Sequence, residues 1–127
     1  PYHHLDVWDH TLAVVDKITR PSLALRLAAL FHDVAKPQTK TIEPSGRPRF
    51  FGHEIEGAEV ARVALNRLRF SKDLIGEVAH LVRHHMRLGS ANPFSSTAAR
   101  RLIRDMGDQL EEFLELVDAD SRSHHPG

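Results

Sequence analysis

The chain has 127 residues, 41% hydrophobic and 27% charged, a balance that fits one globular core and excludes a disordered or fibrous protein. Seventeen basic residues cancel seventeen acidic ones, so no global field attracts nucleic acid or an anionic membrane. The absence of cysteine excludes disulfides, thiolate metal sites and cysteine nucleophiles, so a metal here is held by imidazole nitrogen and carboxylate oxygen. No run approaches the roughly 18 apolar residues of a membrane helix and no signal peptide is recognisable, which gives the expectation of a soluble, cytoplasmic protein.

Residues 7–19 read as a helix, with Trp8, Leu12, Val15 and Thr19 recurring at three- and four-residue steps. A second helix runs from Ser22 to about Val34, apolar nearly all round through Leu23, Leu27, Leu30 and Val34 with Ala24, Ala28 and Ala29, and Pro37 is expected to end it. Residues 38–51, with Pro44, Gly46 and Pro48, read as a loop or a short β-hairpin turning near Ser45-Gly46. A third helix spans about His53 to Arg69, with Gly57, Val60, Ala61, Ala64 and Leu68 on one face. Ser71 caps the next, in which Leu74, Val78, Leu81, Val82 and His85 share a face and Gly89 is the expected stop, followed by a polar loop with Pro93.

Ser95, Ser96 or Thr97 caps a short helix carrying Leu102, Ile103 and Met106, closed by Gly107. Asp108 followed by Glu111 has the spacing of a capping box opening the last helix, with Leu110, Phe113, Leu114 and Val117 inward. About six helices and no sustained strand pattern make this an all-α bundle, with one domain over 1–127.

Ten histidines stand out. His10, His53 and His85 lie on or next to the apolar faces of three helices, and His32 precedes Asp33 inside the most apolar helix. Burying the Asp33 carboxylate costs several kcal/mol unless something positive faces it. A lone histidine on an apolar face is ordinarily a satisfied core residue, and so is a lone His-Asp pair. Several helices each delivering an imidazole or carboxylate inward point instead to a metal site, since bundle cores assemble such sites from facing helices. The last helix offers the further anion: Asp120 stacks over Val117 and Phe113, and Asp118, over Leu114, is the competing choice.

His10, His32-Asp33 and Asp120 resemble the H…HD…D signature of the HD superfamily of metal-dependent phosphohydrolases. More narrowly, Asp6-Val7-Trp8-Asp9-His10-Thr11, the run from Leu27 to Pro37, Gly52-His53-Glu54 and Val82-Arg83-His84-His85 resemble the HD domain of bacterial tRNA nucleotidyltransferases, over roughly residues 3–120. The acidic pair and glycine-serine loop of that family's nucleotidyltransferase head have no counterpart, so the expectation is an excised HD domain or a small stand-alone relative that does not add CCA by itself. His3-His4 and His124-His125 match no family position and read as terminal surface residues.

The resemblance implies an HD-domain bundle and a first metal held by His10, His32, Asp33 and Asp120. His53 and the His84-His85 pair match the extra ligands of two-metal members, with Asp33 bridging; family position favours His84 and the apolar stripe favours His85. Nitrogen and oxygen donors suit one or two ions of iron, manganese, nickel, cobalt or zinc. Lys36, three residues after Asp33, is a candidate for binding the phosphate or protonating the leaving oxygen, or simply a cation at a helix C-terminus. Glu54 is a candidate to orient a ligand histidine, or a first-turn acid.

The activity implied is hydrolysis of nucleotide or RNA-end phosphoesters, of the 2′,3′-cyclic phosphodiesterase, 2′-nucleotidase or phosphatase type, with tRNA a candidate partner. The alternatives are an RNA-contacting or structural HD module of a larger tRNA-processing polymerase and, further off, a di-iron oxygenase. Residues 78–104 hold five arginines (83, 87, 100, 101 and 104) and no acid, whereas 105–120 hold seven acids and no base. Such a strip faces RNA, or more ordinarily pairs with the acidic helix beside it.

Overall fold

The computed structural model describes residues 4–46, 48–50, 52–88 and 95–123, without the side chains of 4–6 and 48–50. Six helices of nine residues or more and one single-turn helix are found among them: α1 (His4–Lys17), α2 (Leu23–Phe31), α3 (Lys36–Thr39), α4 (His53–Arg67), α5 (Lys72–His84), α6 (Ser96–Met106) and α7 (Leu110–Ser121). The chain is all-α apart from a two-stranded antiparallel hairpin, β1 (Lys40–Ile42) with β2 (Pro48–Phe50), in the register Lys40–Phe50, Thr41–Arg49, Ile42–Pro48. Gly46, at φ 90°, makes its turn, a conformation that costs other residues more.

α2 is the axis of the molecule and packs against α1, α4, α5 and α7. Its alanines make this possible: Ala24, Ala28 and Ala29 are buried with Leu25, so neighbouring backbones approach closely. The Ser22 side chain caps the helix by accepting from the Leu25 N–H at 3.1 Å, and its hydroxyl also donates to Glu112 of α7. Around this axis Val14, Leu65, Val78, Leu81, Val82, Phe113 and Leu116 form a continuous core. Gly57 of α4 faces α2 so closely that an added Cβ would lie 3.4 Å from the Val82 side chain and 3.5 Å from the Phe31 carbonyl oxygen.

Several sequence expectations are corrected. α1 turns Val7, His10, Thr11 and Val14 inward, with Ile18 just after it, and leaves Trp8 and Leu12 about half exposed. Both stripes are apolar and differ by one residue, a rotation of about 100°, so pattern alone does not choose between them. α2 is not buried all round, since Leu23 is exposed and Leu30 and Val34 partly so, and it ends at Phe31. Pro37 does not end a helix but opens α3, where its missing N–H costs nothing. On α4 Leu65, not the exposed Leu68, is inside, and on α7 Leu116 replaces Leu114.

Ser71 and Ser95 cap α5 and α6 and Gly107 closes α6, but the capping box at Asp108 does not form: Gly107–Gln109 is a 3-10 turn and α7 starts after it with no side-chain cap. The expected stop at Gly89, the Pro93 loop, and His3, His124 and His125 lie outside the described residues, as does the side chain of His4. α5 itself is already finished at His84.

The close approach at Gly57 sets a test. Gly57→Leu should force α4 off α2 and destabilise the fold by about 1–3 kcal/mol, while Gly57→Ala should stay within about 1 kcal/mol of the parent; urea denaturation followed by circular dichroism measures both.

Candidate metal centre

Five elements meet at one end of α2. His32 is its C-terminal cap residue and Asp33 lies in the turn that follows; α1 brings His10, α4 starts with His53, α5 is capped by His85, and α7 brings Asp120 near its end. His10, His32, Asp33, His53 and His85 are all buried, Asp33 to 1% exposure, whereas the Asp120 side chain keeps 19%.

The Asp33 carboxylate divides its two oxygens. Oδ2 faces His32 Nε2 at 3.3 Å and His10 Nε2 at 3.6 Å. Oδ1 faces His53 Nε2 at 3.3 Å and His85 Nε2 at 3.7 Å. Asp120 Oδ1 closes the first side, 2.6 Å from His10 Nε2 and 3.3 Å from His32 Nε2. Two donor groups result, His10-His32-Asp33-Asp120 and Asp33-His53-His85, each with donor atoms within 4.8 Å of one another. The imidazoles stand edge to face rather than stacked, with centroids 5.3 Å apart for both His32–His85 and His53–His85.

The outer ring nitrogens explain why every Nε2 points inward. Nδ1 of His32 donates to the Ala29 carbonyl at 2.6 Å, and that of His85 to the Val82 carbonyl at 2.5 Å. Both acceptors sit three residues back, in the last turn of a helix, and the Val82 carbonyl also accepts from the His85 backbone N–H at 3.4 Å. Nδ1 of His10 reaches the Ser123 carbonyl at 3.1 Å, and that of His53 lies 3.9 Å from the Glu54 carboxylate. A proton fixed on Nδ1 leaves the Nε2 lone pair for a ligand, the arrangement that orients histidines in metal sites.

The charges are strongly coupled. Burial disfavours the imidazolium of His32, but Asp33 and then Asp120 more than offset it and raise its pKa from 6.5 to about 10. Burial likewise opposes the charge on Asp33, yet His32 first, then His53 and His85, hold the carboxyl well below its ordinary value. Asp120 is lowered in the same way by its hydrogen bonds to His10 and His32. Even so, Asp33 Oδ2 and His85 Nε2 are buried atoms that complete no hydrogen bond among the described residues. A divalent cation would fit this donor set, since it would satisfy such atoms.

The remaining candidates sort by position. Lys36 Nζ is 3.3 Å from Asp33 Oδ2 with its side chain 17% exposed, so it stands at the rim of the cluster. His84 belongs to neither donor group: its ring packs on His80 at 4.6 Å and its Nδ1 lies 3.4 Å from an Arg87 nitrogen. Burial, then His80, Arg87 and Arg83, lower its pKa. Asp118 is also outside, paired with Arg122 at 3.0 Å. The backbone acceptors at Ala29, Val82 and Ser123 carry no side-chain signal; for the first two, the only clue is a histidine directly after a helix's last turn.

Without metal, the raised pKa of His32 makes its imidazolium a stabilising charge, fully present below pH 6.5 and lost as pH rises through about 10. The melting temperature in chelator should therefore fall across that interval, and Asp33→Asn should flatten the fall; scanning calorimetry at fixed ionic strength reads both.

Comparison with known proteins places this geometry. The model of the HD domain family matches residues 2–122. The chain is 45% identical over 123 residues to the CC-adding tRNA nucleotidyltransferase of Thermus thermophilus, covering 93% of this chain and 28% of that protein. It is 36% identical over 124 residues to the A-adding tRNA nucleotidyltransferase of Deinococcus radiodurans, covering 94% and 28%. A multifunctional CCA protein of Verminephrobacter eiseniae shares 34% over 105 residues, 80% of this chain and 25% of that one. The chain thus spans little more than a quarter of the curated relatives it matches. With its buried histidines, Asp33 and the half-buried Asp120 in place at the end of α2, the chain belongs to the HD domain family and is similar to the HD domain of tRNA nucleotidyltransferases.

Proposed function

We propose that this chain is the HD module of a cytoplasmic tRNA-processing protein, and that its His/Asp cluster holds one or two divalent transition ions with which it hydrolyses phosphoesters of nucleotides or RNA ends. The observation that carries this reading is Asp33, whose two oxygens each face a separate imidazole group while Asp120 completes the first. One ion would take His10, His32, Asp33 and Asp120; a second would take Asp33, His53 and His85. Iron, manganese, nickel, cobalt and zinc all accept such donors. A divalent ion bound there supplies a water acidified toward neutral pH and a Lewis acid for a phosphoryl oxygen.

The protein's own residues do the rest. Lys36, at the rim and 3.3 Å from Asp33, places an ammonium where a phosphate approaching the cluster meets it, and can give a proton to the leaving oxygen. Glu54 lies 3.9 Å from Nδ1 of His53, where its charge favours a proton on that nitrogen. The carbonyls of Ala29, Val82 and Ser123 do the same for His32, His85 and His10. The substrates fitting this reading are 2′,3′-cyclic phosphates, 2′-nucleotides and simple phosphomonoesters, and the relatives' names make tRNA the candidate RNA. No helix among the described residues is long and apolar enough to cross a membrane.

A second reading keeps the module and drops the hydrolysis: an RNA-contacting or structural part of a larger tRNA-processing polymerase. It is favoured by the relatives, which are named as nucleotidyltransferases or CCA proteins and are several times longer than this chain.

Elemental analysis of the purified chain should give one or two transition ions per molecule, and the same sample should open a 2′,3′-cyclic nucleotide in a chelator-sensitive way. Asp33→Asn should lower kcat at least a hundredfold with the helical signal retained; undiminished turnover in that variant would sink the hydrolytic reading, and bound metal without turnover on any phosphoester would favour the second. Lys36→Gln should lower kcat on the order of a hundredfold, the usual worth of a positioned proton donor, with metal content unchanged.

A further inference from the structure

The charge distribution deepens the proposed function and rests on its RNA-end reading. Five arginines in 78–104 adjoin seven acids in 105–120, and mutual neutralisation is the ordinary outcome. It does not occur. Glu111 and Glu115 turn to Arg20 at 3.4 and 3.0 Å, and Glu115 also accepts from the Thr19 backbone N–H at 2.7 Å. Glu112 accepts from Ser22, Asp118 pairs with Arg122, and Asp120 belongs to the His/Asp cluster. α7 thus spends its acids on the α1–α2 side and on the metal centre.

One acid of the seven meets the arginines. Asp105 lies 2.9 Å from Arg87 and 3.5 Å from Arg104, so it brings the end of α5 and the end of α6 together. Arg83 stands one turn before Arg87, and Arg100 one turn before Arg104. Arg83, Arg100 and Arg104 are exposed, and no carboxylate forms an ion pair with Arg83 or Arg100 among the described residues. Four guanidiniums in sequence, 83, 87, 104 and 100, therefore share one carboxylate.

This lane ends beside the chain neighbours of two cluster histidines. At its Arg83 end lies a groove of about 390 Å³ lined by Glu54, Ile55, Arg83, His84, Met86 and Arg87. His84 and Glu54 are the chain neighbours of His85 and His53 in the cluster. The groove offers guanidinium forks for phosphate and the apolar surfaces of Ile55 and Met86 for a base. Glu54, its only acid, is drawn toward His53 Nδ1 at 3.9 Å.

We propose that this lane carries the phosphate backbone of an RNA strand, with a nucleotide near the strand's end seated in the groove so that the end reaches the His/Asp cluster. Charge calls for a single strand with one negative charge per nucleotide, and the RNA-end reading of the proposed function makes that strand RNA.

The test is fluorescence anisotropy of a labelled single-stranded RNA of about a dozen nucleotides with this chain, titrated across salt. Arg83→Glu and Arg100→Glu should each weaken binding about tenfold and lower the salt slope by about one phosphate's worth. Arg62→Glu, an equal charge change on exposed α4, should cost less than about twofold. Equal losses in all three variants, or none in the lane variants, would overturn the lane; equal affinity for single-stranded DNA of the same sequence would overturn its assignment to RNA. The outcome separates from that of the hydrolytic reading. If no phosphoester is hydrolysed yet the lane variants lose RNA, the hydrolysis fails and the lane stands; if a cyclic nucleotide is opened and those variants bind RNA as the parent does, the lane alone fails.

Discussion

A carboxylate buried to 1% exposure governs this fold. Removing Asp33 from water costs several kcal/mol that only close positive partners return, and the structure brings four imidazoles and one ammonium within 3.7 Å of its two oxygens. His10, His53 and His85 come from three other helices, which constrains the rotation of α1 and the starting and ending points of α2, α4 and α5. α2 stops at Phe31, so His32 falls where its ring nitrogen reaches the Ala29 carbonyl of the last turn. α5 ends in the same way at His84, and its cap residue His85 reaches the Val82 carbonyl. Helix termini are here the machinery that aims the side chains.

The existence and order of the helices were legible because each carries three- and four-residue apolar periodicity between recognisable breaks, and the serine caps at 22, 71 and 95 are all used. Which face turns inward was less legible. α1 has two apolar stripes one residue apart, and the stripe chosen contains His10 and Thr11 rather than Trp8 and Leu12. A hydrophobicity rule ranks these residues in the wrong order because it cannot see that His10 meets Asp120 across 110 residues of sequence. Leu114 and Leu116 pose the same difficulty on α7, where the stripe that carries Asp120 inward runs through Phe113 and Leu116.

The neighbouring histidines 84 and 85 show how sharply helix phase divides roles. His85 follows Val78 and Val82 into the core, while His84, rotated by about 100°, joins His80 and Arg87 at the surface. Resemblance to the family left both open, and the apolar stripe pointed to the inward one. The charges divide in the same manner. Acids cluster on α7 toward α1 and α2, arginines stay on α5 and α6, and Asp105 is the one acid among those arginines. None of this was visible in a net charge of zero.

The 2.6 Å link between His10 and Asp120 also bears on how the molecule is built in time. The cluster draws on elements from α1 to α7, so its closing contacts are as non-local as this chain allows, while most contacts inside the helices form over four residues. Loop-closure entropy opposes early formation of such a contact, and non-local contacts slow folding. The centre can come into being only when the last helix has docked on the first, so a protein with a completed cluster is one whose chain has finished folding.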